Sequence, residues 1–154
     1  MQLSRSYFDH LLRDADPVEA IAALSQFWST RADSMRPCFG LSRPEYNVQL
    51  CLIYFGEVGN GGLTQYFMNR GCRLVADTCD AFDEIGFSEL AEPLQSAAAA
   101  WQDAGDDGTL PVGLDQAAGL VADIDCKLLD YIRRNADDIL VSERKSQPYE
   151  QPNA

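Results

Sequence analysis

Histidine is nearly missing: the chain carries one, His10, close to its start and in a segment expected to fray. A Cys-His nucleophilic pair or a histidine-based metal site therefore has almost nothing to build on. Cysteine occurs five times but never as C-x-x-C, and that odd, unpaired set fits reduced thiols better than a disulfide framework. No apolar run approaches the ~20 residues of a membrane span. The opening MQLSRSYFDHLLRD has neither the apolar stretch nor the small-residue cleavage site of a secretory leader, so a cytoplasmic location and no membrane partner are expected. A P-loop, a dinucleotide fingerprint and a G-x-S-x-G turn are also absent. The segment Asp103-Ala104-Gly105-Asp106-Asp107-Gly108 is dense enough in acids for a calcium loop, yet Gly105 falls where a ligand is needed and Leu114 replaces the closing glutamate. Together these gaps predict no required cofactor, no metal site and no intrinsic turnover.

Basic residues are scarcest where acids are densest. Between Leu74 and Cys126 lie twelve carboxylates: Asp77, Asp80, Asp83, Glu84, Glu89, Glu92, Asp103, Asp106, Asp107, Asp115, Asp123 and Asp125. These 53 residues contain no lysine or arginine, while the other 101 balance twelve acids against twelve bases. The whole formal charge of −12 thus resides in the middle third of the chain. Helix surfaces normally mix signs, because opposite charges four residues apart gain ~0.2 to 0.5 kcal/mol and like charges lose a similar amount. So acidic a stretch disfavours direct contact with nucleic acid or an anionic membrane and favours a basic partner.

Two readings of the block compete. The plain one is a solvated surface that aids solubility. The sharper one is a surface that sets carboxylates where a nucleic acid sets phosphates. A 16-residue helical span such as 77–92 would be about 24 Å long, and a duplex of that length carries about fourteen phosphates. The span supplies six carboxylates, so two or three acidic helices, doubled in a dimer, are needed to imitate one groove. Arg73, four residues before Asp77, lies near the acidic arc.

The chain length fits one core. Asp16-Pro17-Val18-Glu19 opens a helix over about 17–34, with Ile21, Leu24, Phe27 and Trp28 at helical spacing. Ser42-Arg43-Pro44-Glu45 repeats the capping pattern and opens a second helix to about Val58. This helix is apolar around most of its circumference and is expected to be the buried central one. A short helix over Leu63–Asn69, a longer one over Cys72–Ile85 and an alanine-rich one capped by Ser88 over Leu90–Ala104 follow. The last runs from about Leu114 to Asn135 with a kink near Gly119, and a short turn leads to Val141. At 100° per residue, Leu74, Val75, Thr78, Ala81, Phe82 and Ile85 share one arc, and Asp77, Asp80, Asp83 and Glu84 the opposite one. No segment alternates as a strand would. The expected fold is a single all-α domain of five to seven helices, with Trp28, Ile53, Phe67, Phe82, Trp101 and Leu128 in or near its core.

The most distinctive segment is Glu57-Val58-Gly59-Asn60-Gly61-Gly62-Leu63-Thr64-Gln65-Tyr66-Phe67-Met68-Asn69-Arg70-Gly71. A structural role accounts for it: Gly61 and Gly62 for a close helix junction, Gln65 and Asn69 four apart on one face, Tyr66 and Phe67 for the core, and Gly71 as a left-handed stop. The competing role, a ligand pocket, is the weaker, since buried amides usually satisfy nearby backbone groups. The segment resembles the N-G-G-x-x-Q-Y-F-x-N-x-x-G signature of a bacterial family named for a DNA-mimic protein. The similarity extends from about Pro37 to Leu140, through Ile85-Gly86 and the closing helix Leu128-Leu129-Asp130-Tyr131-Ile132-Arg133-Arg134-Asn135. It implies an all-helical, dimeric, acidic protein that occupies the DNA-binding surface of a transcription regulator. The organisation then reads as a helical extension over 1–36 packed on the core, a family-like domain over 37–141, and a polar, disordered tail over 142–154.

Asp125 falls on the apolar side of the last helix, between Leu129 and Ile132. A carboxylate there needs donors. Capping of a neighbouring helix is the first reading, an arginine pair the second, and a catalytic acid or base in a carboxylate-based hydrolase the third. For the protein as a whole, an acidic non-enzymatic binding protein is expected. An adaptor or immunity-type protein that binds a basic partner without imitating DNA shares every charge feature.

Overall fold

A computed structural model describes residues 4–29, 41–105, 110–111, 113–114 and 121–139. The described residues are helical, with turns between the helices and no strand, so the architecture is all-α. The elements are α1 (Arg5–Arg13), α2 (Pro17–Ser29), α3 (Arg43–Arg70), α4 (Val75–Ile85), a 3-10 turn (Ser88–Leu90), α5 (Ala91–Ala104) and α6 (Ile124–Arg134). They fall into two units, one drawn from Met1–Tyr46 and Leu129–Ala154, the other from Asn47–Leu128.

In the first unit, Ser4 caps α1 by accepting the Tyr7 N–H at 3.2 Å, and Asp16 caps α2 by accepting the Val18 N–H at 3.0 Å. Far from fraying, α1 is an ordered helix that buries Phe8, Leu11 and Leu12. The capping box at the start of α3 also forms. Ser42 N–H donates to Glu45 Oε2 at 2.6 Å and Glu45 N–H approaches Ser42 Oγ at 3.5 Å, so two donors that a helix start leaves open are met reciprocally. Ile21, Leu24, Phe27 and Trp28 of α2 and Leu129, Tyr131 and Ile132 of α6 are all buried in this unit. Arg133 Nε donates to the Leu12 carbonyl at 2.8 Å, satisfying an acceptor in the last turn of α1.

In the second unit, α3 supplies Val48, Leu50, Cys51 and Tyr54 as fully buried side chains, consistent with its expected central place. Ile53 and Trp101 are half-buried, while Phe67, Phe82 and Leu128 are buried. Aromatic rings organise the core: Tyr54 meets Phe82 edge-on at 4.9 Å, Phe55 meets Phe87 edge-on at 5.1 Å, and Phe67 stacks on Trp101 at 5.4 Å. On α4 the buried residues are Val75, Thr78, Cys79, Ala81, Phe82 and Ile85, which is the arc read from the sequence with Cys79 added.

Three boundaries differ from expectation. α4 begins at Val75 rather than Cys72, because residues 71–74 form a turn after Gly71, whose φ is +61°. Gly86 (φ +105°) ends α4 after Ile85 as expected, with both Gly86 and Phe87 N–H donating to the Phe82 carbonyl, so the acids of 77–92 stand on separate helical elements. Ser88 does not cap α5; the N-cap is Leu90, at the end of the 3-10 turn. α6 begins at Ile124, because Asp123 adopts φ +59° and a turn precedes the helix. The stretch 30–40, the kink at Gly119, Val141 and the tail lie outside the described residues.

The depth of the aromatic core sets a stability prediction. Phe82→Ala should lower unfolding free energy by about 3 to 5 kcal/mol. Met68→Ala, at a side chain 71% exposed, should stay within about 0.5 kcal/mol. Urea denaturation of both variants checks the contrast.

Candidate functional site

The carboxylates of α4 emerge opposite its buried arc. Asp80, Asp83 and Glu84 are exposed and Asp77 is half-buried. Glu84 is also tied inward, accepting the amide of buried Asn47 at 2.6 Å. On α5, Glu92 and Asp103 are exposed and eleven positions apart, which returns them to one face after three turns. Glu89 in the 3-10 turn and Asp123 before α6 are exposed as well. Asp106, Asp107 and Asp115 lie outside the described residues. Since α4 and α5 pack together, the two acidic faces belong to one helical pair.

Lys127, the first base after the acidic stretch, lies at the end of α4. Its Nζ donates to the Gly86 carbonyl at 2.8 Å, sits 4.8 Å from the centre of the Phe87 ring and lies 3.9 Å from Glu89. A cation there meets the negative end of the α4 dipole and one of the acids. Arg73 is exposed in the turn before α4.

The glycine-rich signature builds a different feature, a break within α3. Gly61 (φ −165°, ψ 28°) leaves the helical conformation, and Gly62 (φ +73°, ψ −171°) lies in a region open essentially to glycine alone. Glu57, before the break, is joined to three residues after it. Its Oε2 accepts from Asn69 Nδ2 at 2.7 Å and Gln65 Nε2 at 3.1 Å, and its Oε1 pairs with Arg70 at 2.9 to 3.0 Å. Burial raises the Glu57 pKa, but the bonds from Asn69, Gln65 and Arg70 and the guanidinium charge outweigh it, so the carboxyl is held below its ordinary value. Gly61 leaves room for this latch: a Cβ there would meet Gln65 Oε1, and its Cβ at 3.0 Å. Tyr66 and Phe67 are buried as expected, Asn60 is exposed, and Gly71 closes α3 through its N–H to the Phe67 carbonyl at 2.8 Å.

Gln65 and Asn69 do share a face, and the residue they serve is Glu57, to which the motif by itself assigns no role. A signal is nonetheless present: Glu57 is the lone carboxylate between Glu45 and Asp77. Asp125 is half-buried, whereas Gln65 is bonded to Glu57 and Tyr66 to Thr78. Among the described residues, no group of three or more His, Cys, Asp or Glu is placed to hold a metal ion, and no helix is long and apolar enough to cross a membrane. The thiols of Cys51 and Cys79 are buried, burial pushing both upward in pKa; Cys72 is half-buried and Cys126 exposed.

An all-α scaffold with a latched glycine break and a single-sign helical pair defines the class of protein. A family model described as DMP19-like protein matches residues 40–135, more than half of the chain, and the chain belongs to that family. No curated protein and no solved structure matches it.

The latch yields two predictions. Gly62→Ala should cost about 1 to 3 kcal/mol through backbone strain alone, read from the urea midpoint. Glu57→Gln should also destabilise at neutral pH. Because the folded Glu57 pKa lies below the ordinary 4.5, the ionised latch stabilises above that value, and this contribution is lost as pH falls through the folded value. The difference in midpoint between wild type and Glu57→Gln should therefore narrow below pH 4.5.

Proposed function

We propose that the protein is a non-enzymatic binding protein whose α4–α5 acidic face occupies the DNA-binding surface of a basic protein, as a DNA mimic. The observation that carries this reading is the presentation of Asp80, Asp83, Glu92 and Asp103 on a helical pair drawn from 53 residues without lysine or arginine. Membership in the DMP19-like family supports it. Each partner cation would replace a phosphate contact with a carboxylate contact, so steering by the acidic field should dominate association. Glu89 and Asp123 extend the face, and Asp106, Asp107 and Asp115 belong to the same acidic segment. No cofactor and no direct nucleic-acid contact enter the proposal. A homodimer, which doubles the acidic face, is part of it, and sedimentation at micromolar concentration should give twice the 17.0 kDa chain mass.

The test starts from affinity capture in native lysate, followed by DNA competition on the captured protein. Mimicry requires mutual exclusion: the partner's DNA displaces this protein and this protein displaces the DNA. A partner that holds both at once makes the protein a plain adaptor. The triple reversal of Asp83, Glu92 and Asp103 to lysine should slow association by an order of magnitude or more at low salt. Reversal of Glu143 and Glu150 should leave it nearly unchanged. Raising ionic strength should weaken wild-type binding, since exposed charges are screened over ~8 Å at physiological salt.

A further inference from the structure

One hydroxyl in the aromatic core of the second unit is left over. Tyr54 is fully buried, and among the described residues nothing hydrogen-bonds its Oη. Tyr66, equally buried, meets Tyr54 edge-on with ring centroids 5.7 Å apart, and its own Oη lies 3.3 Å from Thr78 Oγ1. Cys79, the next residue along α4, donates its thiol proton to the Ala91 carbonyl at 3.7 Å and takes a side-chain hydrogen bond from Gln95, which leaves one sulfur lone pair as an acceptor. Burial, then the Tyr66 hydroxyl and the Cys79 thiol, push the Tyr54 pKa upward, so both groups act on its Oη electrostatically. Tyr66 from the second arm of α3 and Thr78 and Cys79 from α4 thus lie on the side of a first-arm hydroxyl that lacks a bond among the described residues.

A buried hydroxyl without a partner is costly, and proteins commonly meet that cost with an internal water that makes about three hydrogen bonds. We propose that one water molecule is bound between Tyr54, Tyr66 and Cys79 as a structural ligand of the α3–α4 junction. It accepts the Tyr54 O–H and donates to Tyr66 Oη and Cys79 Sγ. Tyr66 then donates its own proton to Thr78 Oγ1, so each tyrosine hydroxyl proton has one acceptor. Thr78 and Cys79 lie on the inner arc of α4, whose outer arc carries Asp80 and Asp83. The water thus ties the inner arc of α4, already held by its buried side chains, to both arms of α3. This holds whatever the acidic face binds.

The sign of one substitution separates the alternatives. With the water in place, Tyr54→Phe deletes a satisfied bond, and the folding equilibrium constant of the full chain should fall roughly 2- to 10-fold. If the hydroxyl is an orphan, the same substitution removes an unpaired group and the constant should rise, which overturns the proposal. A crystal structure of the wild-type protein supplies the second measurement and does not depend on the variant folding. Density for one water within hydrogen-bond distance of both Tyr54 Oη and Tyr66 Oη supports the site. Tyr54 Oη bonded to a protein group, or no water beside it, overturns it.

Discussion

The conformation of Gly62 is the constraint on which the second unit depends. At φ +73° and ψ −171° the backbone cannot continue a helix and cannot readily take a side chain, so α3 is forced to restart at Leu63. The restart turns Leu63, Tyr66 and Phe67 into the core and returns Gln65, Asn69 and Arg70 to Glu57, which precedes them by 8, 12 and 13 residues. A break in a helix leaves carbonyls and amides open and permits hinge motion. The Glu57 latch opposes that motion with a carboxylate whose two oxygens are both bonded, one of them to a guanidinium. A glycine-only conformation at one residue and a charge-assisted network at four others therefore form a single device.

The acidic pair makes sense only against so apolar an interior. Carboxylates at the C-terminal end of α4, Asp83 and Glu84, oppose the helix dipole, and their repulsion from neighbouring acids adds to the cost. Burial of Thr78, Ala81, Phe82 and Ile85 on the other arc is what holds the helix in place regardless. Lys127 acts where the electrostatics are worst. By bonding the Gly86 carbonyl it places positive charge at the helix end, and its ammonium sits over the Phe87 ring. Glu84 is relieved separately, through the Asn47 amide.

Local chemistry is legible in the sequence; contacts across distance are not. The Asp16 cap and the Ser42–Glu45 box read correctly because each motif closes within three residues. The two arcs of α4 read correctly because periodicity alone decides them. Helix α1 is legible only in part: Phe8, Leu11 and Leu12 stand at helical spacing behind the Ser4 cap, but nine residues are too few for pattern alone to separate a packed helix from a frayed end. The start of α6 is displaced from its expected position because Asp123 takes a left-handed conformation that aspartate tolerates but does not announce. Lys127 binds a carbonyl 41 residues away, and Glu57 finds its partners only after the backbone turns at Gly62. Both roles depend on the fold and are invisible without it.

The signature and the acidic face are made of different residues, and this separates what each can report. Gly61, Gly62, Gln65, Tyr66, Phe67 and Asn69 are consumed by the break, the latch and the core, so a match over them reports the scaffold. The acids stand on the outer arcs of α4 and α5, where substitution leaves packing almost untouched. Charge on these helices can therefore change without disturbing the motif that identifies the family. Kinship is carried by the signature and charge by the surface, on separate residues, and the lysine-free, arginine-free stretch from Leu74 to Cys126 bears on the surface alone.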